Sequence, residues 1–431
     1  MAVITVTGNL QDALNAAKPG DILVLSGSFS GSYIAPTKTV AENIIVTTSD
    51  LVAGRSTPSK KSGSILTFDG SPALTVQGSN WIFQGLEIAA MGPLLANDLV
   101  RVGLGTEKST GDLPTNIVID GCYIHGSSGL GCKRGIALNG TNVSVTRCYI
   151  SEIKLVGQDS QAICAWNSPG PFVIDNNYLE AAGENIMFGG AEPGIPGLIP
   201  TNITISNNTL SKQERWRGIS WLVKNLLELK NAQNVTISGN LLEYCWAMGQ
   251  NGFAVLFTPR YSGGTVAAVS NVNFRNNVIQ HCGGGFQIAG YDDSTTIPTI
   301  LLHNVSITNN LLDVSRSSWG GYGTLFLLEE GADGVSINHN TGYSDGFTAV
   351  LSGKPLTRFE FTDNLVTRGD HGFNGSAGEG EGTAAINVYC PDSIIYGNVM
   401  QTTSDSVPTY PPGFAFVSRL PGCTPTSVLN S

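Results

Sequence analysis

The sequence predicts an all-β fold, a single-stranded right-handed parallel β-helix whose first coil is capped by a short N-terminal helix. A strand-like pattern recurs along the chain, aligned on an asparagine at 177, 208, 240, 277, 310, 340, 364 and 398, in segments such as ITISNNTL, VTISGNLL and VSITNNLL. Two earlier copies, IVIDGCYI and VSVTRCYI, carry Cys122 and Cys148 in the same slot, and successive intervals from Cys122 are 26, 29, 31, 32, 37, 33, 30, 24 and 34 residues. Each copy alternates apolar and polar residues as a strand does, and each is too one-sided to bury its face alone, so the copies must stack.

Parallel strands stacked this way put each coil about 4.8 Å above the last. Asparagines at the same turn of every coil are then expected to form a column of amides, each donating to the next carbonyl along the axis. The competing architecture is a β-sandwich, but tight Asn-Gly hairpin turns do not join the copies. Intervals this variable also exclude a fixed-period array such as ankyrin.

Composition bounds the rest. The chain has 431 residues, 53 Gly, 20 Pro, 13% charged residues and a net charge of −10. The pattern runs without a compositional break, so one domain over 1–431 is expected: a strand and capping helix in 1–20, coils over 21–400, and an extended tail in 401–431. The acidic balance argues against nucleic acid as a partner. No apolar run is long enough to span a membrane. The Asn-x-Ser/Thr triplets, for example at Asn202, Asn234 and Asn304, arise from the rung pattern itself.

At the N-terminus, Leu10, Leu14 and Ala17 have helical spacing, ended by Pro19-Gly20. A helix there would cover the open edge of the first coil, which otherwise invites pairing with other chains. Ile22–Leu25, Ile44–Thr47, Ile65–Phe68 and Trp81–Leu86 read as the first, less regular rungs. Cys122 and Cys148 share one slot, and Cys245 and Cys282 another, each five residues after its asparagine. Side chains in one slot of parallel strands point the same way, which fits stacked free thiols. Cys390 and Cys423 are a candidate disulfide pinning the tail.

A second family of strands lies between the asparagine rungs: RGIALNG from Arg134, QAICAWN from Gln161, ENIMFGG from Glu184, KNLLELKN from Lys224, GFAVLFTPR from Gly252, GFQIAGYDD from Gly285 and GTLFLLEEG from Gly323. Strand parity puts Leu227 and Leu229 in the core and Glu228 and Lys230 outward, side by side. One coil on, Phe253, Val255 and Phe257 point inward and Arg260 ends the strand, so Lys230 and Arg260 are expected to be neighbours. Asp159, Gln161, Glu184, Asn185, Gln250, Gln287, Tyr291, Asp292 and Asp293 are assigned to the same flank, among aromatics expected to be exposed: Trp166, Trp216, Trp221 and Trp246.

This pattern points to an anionic sugar. A guanidinium holds a carboxylate bidentately, and a neighbouring cation lowers a lysine toward the range of a working base, although Glu228 acts against that. The expected reaction is β-elimination from a uronate. Lys230 would be the base, Arg260 the group neutralising the carboxylate and the developing enolate, and Glu228 their partner. Lys224, Gln161, Glu184, Asn185, Gln250, Gln287, Tyr291 and Trp221 are the expected substrate contacts. Asp159, Asp292 and Asp293 are candidate calcium ligands, so the cofactor is either none or calcium.

The whole chain resembles the pectin-lyase-like superfamily of right-handed β-helices. Its opening, LQDALNAAKPGDILVLSGSF, is similar to the entry segment of alginate lyases and chondroitinase B of polysaccharide lyase family six, and ELKNAQNVTISGN resembles that family's stretch bearing its catalytic lysine. The family's partner arginine lies one coil on, at the position filled here by Gln250, whereas Arg260 lies thirty residues beyond Lys230. RGIALNG, DSQAI and VKNLLELKNA are also similar to uncharacterised bacterial β-helix proteins. What the resemblance implies is a lyase acting on an acidic polysaccharide; the capped first coil leads us to expect a monomer, and the Asn- and Gly-rich, Lys-poor composition a secreted, periplasmic or cell-surface bacterial protein whose leader is absent here.

Other chemistries remain open. A hydrolase of the polygalacturonase type needs paired carboxylates, for which Asp292-Asp293 is the only Asp-Asp pair, and that family's Gly-His-Gly and Arg-Ile-Lys motifs are missing. A calcium-dependent pectate lyase needs clustered carboxylates, and a C5-epimerase an Asp-Pro-His motif that this chain lacks. A carbohydrate-binding or adhesin-like surface protein would use the groove without chemistry.

Overall fold

The computed structural model describes residues 1–420 apart from 39–41, 50–59, 61–64, 69–71, 91–95, 261–266, 293–299 and 405. They divide into two compact units, Met1–Leu222 and Val223–Tyr261 with Val266–Ser431. In each unit the coils feed three sheets whose strands pair in parallel with the coils before and after, apart from Gly380–Glu381, which pairs antiparallel with His371–Gly375.

In the first unit one coil runs Thr115–Asp120, Tyr123–His125 and Cys132–Leu138, and the next runs Thr141–Thr146, Tyr149–Ile153 and Gln161–Ala165. Ile117 pairs with Val143 and Ile119 with Val145, and these in turn with Phe172 and Ile174. All six are buried, as strand alternation requires. The corner after each such strand takes two residues. The first has positive φ (Gly121, Arg147, Asn176, Asn207) and the second turns inward (Cys122, Cys148, Asn177, Asn208). Glycine and asparagine tolerate the left-handed conformation best, which explains why the residue before the slot is so often one of them. Asn177 Nδ2 donates to Asn208 Oδ1 (2.9 Å), and Asn177 Oδ1 accepts the backbone N–H of Cys148 (2.8 Å).

The helix expected at the N-terminus spans Leu10–Ala16, with the Asn9 side chain accepting from the N–H groups of Gln11 and Asp12. Gln11 then bonds both backbone groups of Ile34, donating to its carbonyl (2.9 Å) and accepting its N–H (2.8 Å). Ile34 lies in the edge strand Tyr33–Ala35, so the helix satisfies the polar groups that an open sheet edge would present.

In the second unit the same corner recurs. Residues 239, 276, 309, 339, 363 and 397 have positive φ, and the asparagines after them are buried and bonded in sequence: Asn240 to Asn277 (2.9 Å), Asn277 to Asn310 (3.2 Å), Asn310 to Asn340 (2.9 Å), Asn340 to Asn364 (3.1 Å) and Asn364 to Asn398 (3.1 Å). Phe286 sits at the centre of an inner aromatic stack, parallel to Phe326 (5.7 Å) and edge-on to Phe274 (5.0 Å).

Two features depart from expectation. The tail does not merely lie along the coils: Phe414–Val417 pairs in parallel with Asn398–Gln401 as a further rung, because its alternating FAFV can complete a strand edge. Before it, Thr383–Tyr389 forms a helix that buries Ala385, Ile386 and Tyr389. The cysteines at 122, 132, 148, 164, 245, 282 and 390 are buried free thiols, with Cys245 in register with Cys282. The Cys390–Cys423 pairing lies outside the described residues. Among the described residues no helix is long and apolar enough to cross a membrane.

Candidate functional site

In the second unit, the second sheet is built from Leu227–Leu229, Phe253–Phe257, Gly284–Ala289, Thr324–Glu329, Phe347–Ser352 and His371–Gly375. Leu227 pairs with Val255 and Leu229 with Phe257, all buried, so parity turns Glu228 to the outer face. Glu228 Oε2 lies 3.3 Å from Lys230 Nζ, and the two side chains are 3% and 11% exposed. The backbone N–H of Arg260 donates to the carbonyl of Lys230 (2.9 Å), placing the two residues on consecutive rungs. Arg260 Nε bonds Asp292 (2.7 Å), yet its side chain stays 52% exposed.

Glu228 and Arg260 line a cleft of about 480 Å³ together with Gln250, Thr258, Gln287, Tyr291 and Asp292 among others; buried Lys230 stands behind Glu228 and is not part of that lining. Gln287 donates to Glu329 (2.9 Å), and the Lys354 ammonium lies over the Tyr291 ring, 4.7 Å from its centre. Gln250 Oε1 is buried with no hydrogen-bond partner among the described residues. Lys224, also in this unit, is partly exposed, and its carbonyl accepts the Cys245 thiol (3.1 Å).

Sequence reasoning missed Glu329 and Glu330, which also line the cleft. Their signal was present, since Glu329 takes the register of Ala289 at the end of the next rung. Glu330 adopts positive φ (55°), and a Cβ on Gly290 would sit 2.1 Å from its carbonyl oxygen. Glycine at 290 therefore lets the Glu330 backbone close over the rim. With Glu228 and Asp292, four carboxylates face a cleft whose half-exposed cation is Arg260.

Gln161, Glu184, Asn185, Asp159, Trp166, Trp216 and Trp221 lie in the first unit. Gln161 and Glu184 are register partners and are buried; Gln161 Nε2 donates to Glu184 (2.9 Å). Asn185 does not share their flank. Adjacent strand residues point opposite ways, and Asn185 is turned inside, donating to the carbonyls of Leu179 (2.7 Å) and Ser211 (2.8 Å) and accepting from Lys212 (3.0 Å). Nor are the tryptophans all exposed: Trp216 and Trp246 are buried. Trp216 and Trp221 cover the Lys154 ammonium at 5.5 and 5.4 Å, which draws both rings onto the coil. Asp159 is partly buried in this unit, and Asp293 lies outside the described residues. Among the described residues no group of three His, Cys, Asp or Glu side chains is placed to hold a metal ion.

Residues 75–222 match the family model described as a right-handed β-helix region. The chain is a right-handed parallel β-helix. It shares that fold with a mannuronic acid-specific polysaccharide family 6 lyase from the human gut microbiota, at 14% identity over 96% of this chain and 91% of the other, with a TM-score of 0.53. The A-module of a mannuronan C-5 epimerase from Azotobacter vinelandii is similar at 13% identity over 91% and 94%, with a TM-score of 0.54. The catalytic unit of a thermostable α-1,3-glucanase from Streptomyces thermodiastaticus is similar at 12% identity over 92% and 67%, also with a TM-score of 0.54. No curated protein matches this β-helix in sequence.

Proposed function

We propose that the cleft of the second unit binds an acidic polysaccharide and cleaves it by β-elimination. The observation that supports this is that Arg260, on the rung after Lys230, lines an open cleft together with Glu228, which lies 3.3 Å from Lys230 Nζ. With Nε given to Asp292, the Arg260 guanidinium keeps Nη donors for a uronate carboxylate. Lys230, in its neutral form, takes the proton from the carbon beside that carboxylate. The electron pair left behind forms the ring double bond as the glycosidic C–O bond breaks, and the departing oxygen takes a proton from Tyr291. Glu228, 3.3 Å from Lys230 Nζ, positions the amine. Gln250 and Gln287 bind hydroxyls. We further propose that the protein acts outside the cytoplasm, where such polymers are found.

The test is ultraviolet absorbance of the unsaturated uronate, with the protein incubated with alginate, pectate and glycosaminoglycans, each with and without calcium. Absorbance should rise with one polymer and fall to background in Lys230→Ala and Arg260→Ala. A flat trace in every tube sinks the elimination reading. The four carboxylates favour a second reading, hydrolysis by an acid and base pair. It would show new reducing ends without absorbance.

A further inference from the structure

A second hollow of about 380 Å³ lies on the outer face of the same sheet and shares Asn251, Gln287 and Glu329 with the cleft. One row of its floor follows the register Gln287, Leu327, Val350, Asn374, so two aliphatic side chains stand on an outer face. Phe253, Thr324 and Phe347 close its end; they share a register with Gly284 that lies three residues earlier along the strands and so has the opposite parity. A Cβ on Gly284 would sit 2.6 Å from the Phe253 ring, so glycine clears the rung for that ring. Tyr322, 54% exposed, is also part of the lining. Thr324 Oγ1 is buried with no hydrogen-bond partner among the described residues.

We infer that this hollow receives an O-acetyl group carried by the same saccharide chain, on a residue next to the one held at Arg260. This rests on the saccharide reading of the cleft. Continuity names the occupant, because a chain lying in the cleft against Gln287 and Glu329 already touches the hollow's wall. Chemistry names the substituent. The described lining holds no lysine or arginine, and Glu329 repels a second carboxylate, whereas Leu327, Val350 and Phe347 suit a methyl group. The hydroxyl of exposed Tyr322 supplies a donor for the ester carbonyl.

The test is calorimetric titration of the full chain with partially O-acetylated oligomannuronate and with the same oligosaccharide after deacetylation. The acetylated form should bind about fourfold tighter for each methyl group buried. Val350→Asn and Tyr322→Ala should erase that preference and leave binding of the deacetylated form unchanged, while Arg260→Ala should weaken both forms and keep the preference. Equal affinity of the wild type for both forms, or equal losses for both in Val350→Asn, overturns the inference. If neither oligomannuronate binds, mannuronate is not the uronate held at Arg260, and O-acetylated xylo-oligosaccharides decide the hollow alone. Binding of these that Val350→Asn removes supports it, and no binding overturns it.

Discussion

Asn310 offers a direct test of what holds successive coils together. Its side chain is buried; Nδ2 donates to Asn340 Oδ1 (2.9 Å), the carbonyl of Phe274 (3.1 Å) and that of Thr308 (3.1 Å), while Oδ1 accepts the backbone N–H of Asn277 (2.8 Å). Asn310→Ala strands that buried N–H, at about 1–3 kcal/mol, and removes three donated amide bonds with a net value of about 1 kcal/mol each, for a total of about 4–6 kcal/mol. Its neighbour is the control. Asn309 is exposed, has positive φ (57°) and makes one amide bond to Asn276 (2.7 Å), so Asn309→Gly should cost less than about 1 kcal/mol. Urea unfolding monitored by tryptophan fluorescence gives the two midpoints, and native-state hydrogen exchange should show the Asn277 amide exchanging about a hundredfold faster in Asn310→Ala. If Asn310→Ala stays within about 1 kcal/mol of wild type, or matches Asn309→Gly, the column of inner amides is not what the coils depend on.

Three further outcomes follow from the same geometry. Burial raises the Glu381 carboxyl, but bonds from Arg368, Tyr410 and the Gly372 backbone outweigh it and hold the group below its ordinary 4.5. Its contribution is therefore full above that value and lost as pH falls through the lower folded value, so Glu381→Gln should lower the urea midpoint at pH 7, with the gap from wild type closing in acid. Burial pushes the Cys132 and Cys390 thiols up to about 12, so a thiol reagent at pH 8 should label them only after unfolding; rapid native labelling would contradict their burial. Phe286→Ala opens the inner aromatic stack and should cost about 3–5 kcal/mol in urea unfolding.

Much of the fold is legible because a β-helix repeats one local problem. Ile237, Phe274, Ile307 and Ile337 recur at one position of the rung, each buried, and the asparagine three residues on turns inward at the corner. Pattern alone does not say why the residue before that asparagine is Gly, Asn, His or Asp; the positive φ at 239, 276, 309, 339 and 363 does. The candidate site was legible where parity governs it, at Glu228, and illegible where loops do. The tryptophans at 216 and 221 look like an exposed rim in sequence, and only the three-dimensional path of 211–221 brings them over Lys154.

The sequence by itself determined the rung spacing, the inward and outward faces and the capping helix, because these depend on alternation and short-range turn chemistry. Only the tertiary structure decided which outward groups meet: Arg260 with Asp292, Gln287 with Glu329, and Glu329 and Glu330 in the cleft wall. Each of these contacts joins residues one or more coils apart. The intervening lengths vary from coil to coil, so no period in the chain encodes which charge will face which.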